Sequence, residues 1–121
     1  MRDKIHDYAV IGDGRSAALI SRAGSIDWLC WPRFDSAPYF GALLDRTRGG
    51  TWELVPRGEV QSRRRYAGDT NGLESTFDGP SGSIVITDAM TVTSEERKRE
   101  ALAPEHELVR RIACVRGSFD L

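Results

Sequence analysis

The residues best equipped for chemistry lie close together. Within Gly24-Ser25-Ile26-Asp27-Trp28-Leu29-Cys30-Trp31-Pro32-Arg33-Phe34-Asp35-Ser36 the chain holds two Trp, a Cys, a Phe, an Arg and two Asp. Alternation directs Ile26, Trp28 and Cys30 to one side and Asp27, Leu29 and Trp31 to the other. Neither side is plainly polar, so the segment predicts a strand covered on both faces. It then runs through Pro32 into a loop carrying Arg33, Phe34 and Asp35. A rigid strand that delivers charged and aromatic groups to a loop is a common way to build a binding site. The plainer reading is a core strand followed by a surface turn in which Arg33 and Asp35 form a local pair.

Other chemistry finds less support. Asp27, Asp35, Asp45, Glu53 and Asp88 are acidic, but glycosidic-bond hydrolysis needs two carboxyl groups ~5–10 Å apart. No spacing in the sequence brings any two of them together. No catalytic residue is therefore assigned. There is no Ser-His-Asp signature, and Cys30 and Cys114 lack the partners of a metal site, so no metal or cofactor is expected. Both cysteines sit in apolar, strand-like runs and are expected as reduced thiols, while His6 and His106 are expected at the surface. Asp88, set among Ile84, Ile86 and Met90, is expected to be partly buried and to need a donor. Gly12-Asp13-Gly14-Arg15-Ser16-Ala17 after Tyr8-Ala9-Val10-Ile11 matches a dinucleotide fingerprint. That reading needs a crossover helix, and Gly24 follows too soon. The alternative is a two-glycine turn between antiparallel strands.

The elements that must position these groups are short. Residues 8–11, 16–21, 26–31 and 51–55 read as strands, and 38–44 reads as a helical turn with Tyr39, Phe40, Leu43 and Leu44 on one face. Residues 73–77 alternate. Residues 83–92 are rich in β-branched side chains and place Ile84, Ile86, Met90 and Val92 together. The two runs, joined through Gly79-Pro80, predict a hairpin. Residues 94–100 are almost wholly charged and read as a solvated loop or frayed helix. Residues 108–115 form another strand, with Gly117-Ser118 a break after it. The pattern is all-β, an antiparallel sandwich with one short helical turn. It stops in mid-pattern at Phe119-Asp120-Leu121, which predicts an incomplete domain.

The 121 residues make one domain or part of one, and 40% hydrophobic content permits a modest core. A net charge of -1 argues against nucleic acid, and Arg63-Arg64-Arg65 is a small basic run at a solvated strand start. The N-terminus shows no apolar leader, and no stretch approaches the ~20 apolar residues of a membrane span. The expected compartment is the cytoplasm.

Ordered blocks along the chain resemble the N-terminal region of bacterial glycoside hydrolases of family 15, the glucoamylase and trehalase-like group. They are residues 8–20, Gly24-Ser25-Ile26-Asp27-Trp28, Pro32-Arg33-Phe34-Asp35-Ser36, Phe40-Gly41-Ala42-Leu43-Leu44-Asp45, Gly50-Thr51-Trp52, Arg65-Tyr66, residues 70–77 and Thr87-Asp88-Ala89-Met90. The resemblance implies an N-terminal β-sandwich followed by an (α/α)6 barrel that carries two catalytic Glu residues. Residues 1–121 would be the first part of the sandwich, without the barrel and without catalytic residues. It further implies a scaffold that packs on the barrel, with the 31–36 loop near its sugar-binding mouth. There Arg33 and Asp35 would hydrogen-bond sugar hydroxyls or pin barrel loops, and Trp31 or Phe34 would stack on a pyranose. The expected partners are the barrel, an α-glucoside and, through uncovered strand edges, a second copy. A free-standing carbohydrate-binding or protein-interaction β-domain and a dinucleotide-binding domain are the alternatives.

Overall fold

The computed structural model describes residues 4–92, 96 and 106–121. Two four-stranded antiparallel sheets make up the fold. The first contains β1 (Ala9–Gly12), β2 (Ala17–Ile20), β3 (Ile26–Cys30) and β4 (Pro38–Phe40) in sequence order. The second contains β5 (Gln61–Tyr66), β6 (Leu73–Asp78), β7 (Gly82–Met90) and β8 (Leu108–Gly117), also in order. Every strand pairs with its sequence neighbour, as expected of short, turn-punctuated strands with no crossover. The all-β expectation therefore holds, and the parallel sheet that a dinucleotide-binding domain requires is absent among the described residues.

The second sheet follows the alternation of its residues. Leu73, Ser75 and Phe77 on β6 and Ile84, Ile86, Asp88 and Met90 on β7 are buried, while the residues between them are not. The inner faces form two clusters. Ile11, Ala18, Ile20, Ile26 and Leu29 from the first sheet meet Leu73 and Met90 from the second. Phe77, Ile84 and Ile86 are capped by Leu54, Val60 and Phe119 from irregular segments. Polar ties close one corner of the sandwich. The Arg64 guanidinium donates to Ile20 O at 3.1 Å and to Asp7 O, and the Tyr66 hydroxyl donates to Val10 O at 2.8 Å.

Several expectations need correction. The helical turn lies at Ile5–Asp7, not at 38–44. Phe40 instead pairs with Leu29 across β3 and β4. The chain then folds back so tightly that Gly41 N donates to Gly49 O at 2.7 Å, and a Cβ on Gly49 would come within 2.2 Å of the Gly41 backbone. Residues 51–55 form no strand: Trp52 makes a single bridge to Ile26, and the segment leaves the sheet to lay Leu54 on the second cluster. β7 ends at Met90, leaving Val92 69% exposed. Cys30 is buried but Cys114 is exposed, and both are free thiols. The charged stretch 94–100 lies outside the described residues except for Glu96.

Asp88 is more deeply placed than its sequence setting suggests, with no solvent exposure. Its partner is Arg110, directly opposite on β8. Arg110 Nε donates to Asp88 Oδ1 at 2.7 Å and Nη2 to Oδ2 at 3.3 Å. The same guanidinium reaches across to the first sheet's loops. It donates to Trp52 O at 3.1 Å and to Gly24 O, and it lies 5.3 Å from the Trp52 ring centre. Burial pushes the Asp88 carboxyl up, against the pull of Arg110.

Arg110→Ala leaves a buried carboxylate with no counter-charge and is expected to cost about 3–5 kcal/mol in a denaturant titration. Asp88→Ala leaves the converse. The double variant is expected to lose clearly less than the sum of the two, because the residues act as one unit. Additive losses would show that the pair does not join the sheets.

Candidate functional site

β3 delivers the chain to the loop through a cis Trp31-Pro32 bond. The loop is closed by reciprocal bonds: Arg33 N donates to Ser36 Oγ at 3.0 Å, and Ser36 N donates to Arg33 O at 3.1 Å. Above this turn, Arg33 grips Asp35 as a fork, Nε to Oδ1 at 3.1 Å and Nη2 to Oδ2 at 2.9 Å. Hydrogen bonding from Arg33 holds the Asp35 carboxyl below the usual carboxylate range. Both side chains remain largely in solvent, 71% and 72% exposed. Phe34, between them, is 60% exposed. The sequence-predicted group is thus brought together at one surface, with Trp31 as the exception.

Trp31 turns inward. It packs against the first core cluster and meets Tyr39 edge-on at 5.6 Å and the His106 ring at 6.4 Å. Its Nε1, and Nδ1 of His106, are buried without a hydrogen-bond partner. His106 was expected at the surface. It is instead half-buried and adopts φ 58° just before β8, which brings the ring to Trp31. Nothing in its charged sequence setting signals that conformation.

Beside the loop is an open cavity of about 600 Å³. Its walls are residues 32–35, His106, and Gly14 and Arg15 of the β1–β2 turn. That turn contains the glycine motif. Asp13 Oδ1 accepts from Arg15 N and Ser16 N, both at 2.8 Å, and Ser16 Oγ donates to Cys30 O at the end of β3. Gly14 has φ +85°, a conformation glycine adopts without penalty. The motif is a hairpin turn pinned to the base of the candidate loop, not a phosphate cradle.

The base of the site is held by Asp27, which the sequence offered only as one acid among several. Asp27 is the extra residue of a bulge: Trp28 pairs with Leu19, and Ile26 with Ile20. Its carboxylate is fully buried, accepting from Tyr8 Oη at 2.6 Å and Thr51 Oγ1 at 2.7 Å, with Arg46 Nη2 at 3.4 Å. Burial pushes this carboxyl up, but the bonds from Tyr8, Thr51 and Ser25 and the Arg46 charge outweigh it, and the net displacement is downward. Asp27 thereby ties the chain entering β1, the bulged strand and the 41–51 loop into one support. Among the described residues no two carboxylates converge at the cavity: Asp35 lines it, and Asp27 and Asp88 are spent on internal partners.

The chain matches a family described as trehalase-like, N-terminal, over residues 2–114. It belongs to that family. A trehalase of Mycobacterium tuberculosis is 39% identical over 97% of this chain, and one of Mycolicibacterium smegmatis is 37% identical over the same share. A trehalase of Thermoplasma volcanium is 35% identical over 69% of the chain. The chain spans only 19% of the length of the two mycobacterial relatives and 14% of the third. No solved structure matches it at a significant level.

Two predictions follow from this support. A carboxyl whose folded pKa is depressed stabilises the fold above its unfolded pKa of about 3.9, and that contribution is lost as pH falls through the folded value. Asp27→Asn is therefore expected to be less stable than the parent at pH 6, with the gap narrowing below about pH 4; a gap that is constant with pH would contradict the assignment. Trp31→Ala is expected to cost more than Trp28→Ala, at the lower end of about 3–5 kcal/mol, since Trp31 is the one packed on the core. Denaturant titration of both decides the order.

Proposed function

We propose that this chain is a non-catalytic scaffold segment of a glycoside hydrolase acting on an α-glucoside, of the family 15 glucoamylase or trehalase type. It packs on an (α/α)6 catalytic barrel, and the 31–36 loop faces the barrel's mouth. The observation that carries this reading is the coverage: nearly the whole chain aligns, but with only a fifth of the mycobacterial trehalases. The geometry supports the role given to the loop. Arg33 and Asp35 are already locked into a fork, so little side-chain entropy is lost when a partner docks. Phe34, which lines the cavity, stands 60% exposed, and an apolar contact there would remove its surface from water. The compartment under this reading is the cytoplasm, in keeping with two unpaired cysteines.

The test grafts this chain in place of the matched N-terminal region of the M. smegmatis trehalase. The graft is expected to hydrolyse trehalose, and the isolated chain to release no glucose from trehalose, maltose or short α-glucans. In the graft, Phe34→Ala and the pair Arg33→Ala, Asp35→Ala are expected to lower kcat/KM by about tenfold or more, with the sandwich still folded by circular dichroism. Full activity in both variants would remove the loop from the mouth. Turnover by the isolated chain, abolished by one Asp or Glu substitution, would overturn the scaffold reading.

A further inference from the structure

The two outer faces of the sandwich are unlike. On the second sheet, β5 and β6 carry Arg63, Arg65, Glu74 and Asp78 outward. Arg63 Nη1 donates to Asp78 Oδ2 at 2.8 Å, and Arg65 Nε donates to Glu74 Oε2 at 3.1 Å. That is the wet side of an antiparallel sheet, charged and paired within itself. The first sheet has no such side across β1 to β3. Ile11, Ala18, Ile20 and Leu29 enter the core, so the register sets Val10, Gly12, Ala17, Leu19 and Trp28 on the outer face. None of these five carries a charge or a hydroxyl. Val10 pairs with Leu19 and Leu19 with Trp28, which makes one apolar row across three strands. Val10 is 48% exposed, and Leu19 and Trp28 are half-buried. Where a sheet should alternate into polar residues and does not, the face is made for a contact.

We infer that the Val10–Leu19–Trp28 row is the face on which this domain seats the rest of a trehalase polypeptide, through an apolar surface of that polypeptide. The inference rests on the scaffold reading above and names the face that the scaffold uses. Three observations choose the occupant. The chain spans 19% of the mycobacterial trehalases, so in proteins of that kind the greater part of the polypeptide lies outside this region. The strand edge beside the row is closed. The Tyr66 hydroxyl accepts from Val10 N at 3.2 Å and donates to Val10 O at 2.8 Å, which occupies the β1 edge at that residue. The row is therefore suited to a body laid flat on the sheet and not to an added strand. It is also continuous with the candidate loop. Trp28 precedes Trp31 by three residues, about 10 Å along the chain. A body seated on Trp28 is brought beside the 31–36 loop, which is the relation the scaffold reading requires.

The test compares thiol labelling in the isolated chain and in the graft described above, both with Cys114→Ser and with other exposed cysteines of the graft replaced by Ser. Val10→Cys is expected to react with a maleimide about tenfold or more slowly in the graft than in the isolated chain. Arg65→Cys, on the wet face of the second sheet, is expected to react alike in both. Leu19→Arg is expected to restore fast labelling of Val10→Cys in the graft, with an unchanged circular dichroism spectrum of the isolated chain. Equal labelling of Val10→Cys in graft and isolated chain overturns the inference, whether or not the graft hydrolyses trehalose. Slow labelling in the isolated chain that speeds up on dilution gives the row to a second copy and overturns it as well. A protected Val10→Cys in a graft whose activity survives the Phe34→Ala and Arg33→Ala, Asp35→Ala changes supports the row and removes only the loop from the mouth.

Discussion

The guanidinium of Arg110 is the most deeply buried of the polar ties between the two sheets, beside those that Arg64 and Tyr66 make. Packing alone would let them slide, since aliphatic side chains such as Ile20, Leu29, Leu73 and Met90 accept many near-equivalent neighbours. Arg110, with Arg64 and Tyr66, removes that freedom. The donors of Arg110 go to a carboxylate on the adjacent strand, to Gly24 O and to Trp52 O, and its Cζ lies over the Trp52 ring at 5.3 Å from the centre. Only one register of β7 against β8, and only one placement of the 24 and 52 turns over them, satisfies all four. The net free energy of such a buried pair is small, because desolvating both charges offsets most of the attraction. What the pair supplies is selection: any other register buries an unpaired charge, at a cost of several kcal/mol.

Asp27 plays the matching part within the first sheet, by a different device. A regular strand would send Ile26 and Leu29 to opposite faces. The bulge at Asp27 adds one residue, and both side chains enter the same cluster. The extra residue is left without a ladder partner and carries a buried carboxylate. Tyr8, Thr51 and Arg46 satisfy it, from the chain entering β1 and from the 41–51 loop. The strand that ends in the Trp31-to-Ser36 loop is thus fixed at its base before the loop begins.

Much of this was legible in the sequence wherever a period of two governs the strand. β6 and β7 were plain because Leu73, Ser75, Phe77, Ile84 and Ile86 alternate without interruption. Asp88 was legible as a buried acid in search of a donor, but Arg110 was not legible as that donor, because cross-strand register cannot be read before the hairpin is built. The alternation of 26–31 misled for a definite reason. It grouped Ile26 with Trp28 and Cys30, and the one-residue bulge at Asp27 puts Ile26 with Leu29 and Trp31 instead. The 38–44 stretch looked helical from the spacing of Tyr39, Phe40, Leu43 and Leu44, yet a strand pairing and the close approach of Gly41 to Gly49 won over a marginal local preference. The members of the loop group, Trp31, Arg33, Phe34 and Asp35, were legible by type. The cavity they share with Gly14, Arg15 and His106 was not, since it joins three segments remote in sequence.

The distribution of charge explains why the loop, and not the buried acids, is the place to look for an outward role. Asp27 and Asp88 have every strong partner their geometry allows, and both are shut from solvent. Neither can give or take a proton from a ligand without dismantling the sheets. Among the described residues Arg33 and Asp35 bond to one another and to their own turn, at a surface where a salt bridge contributes little to stability. The pair stands at the end of a strand that the fold fixes at its base, and it is flanked by an aromatic ring left in water.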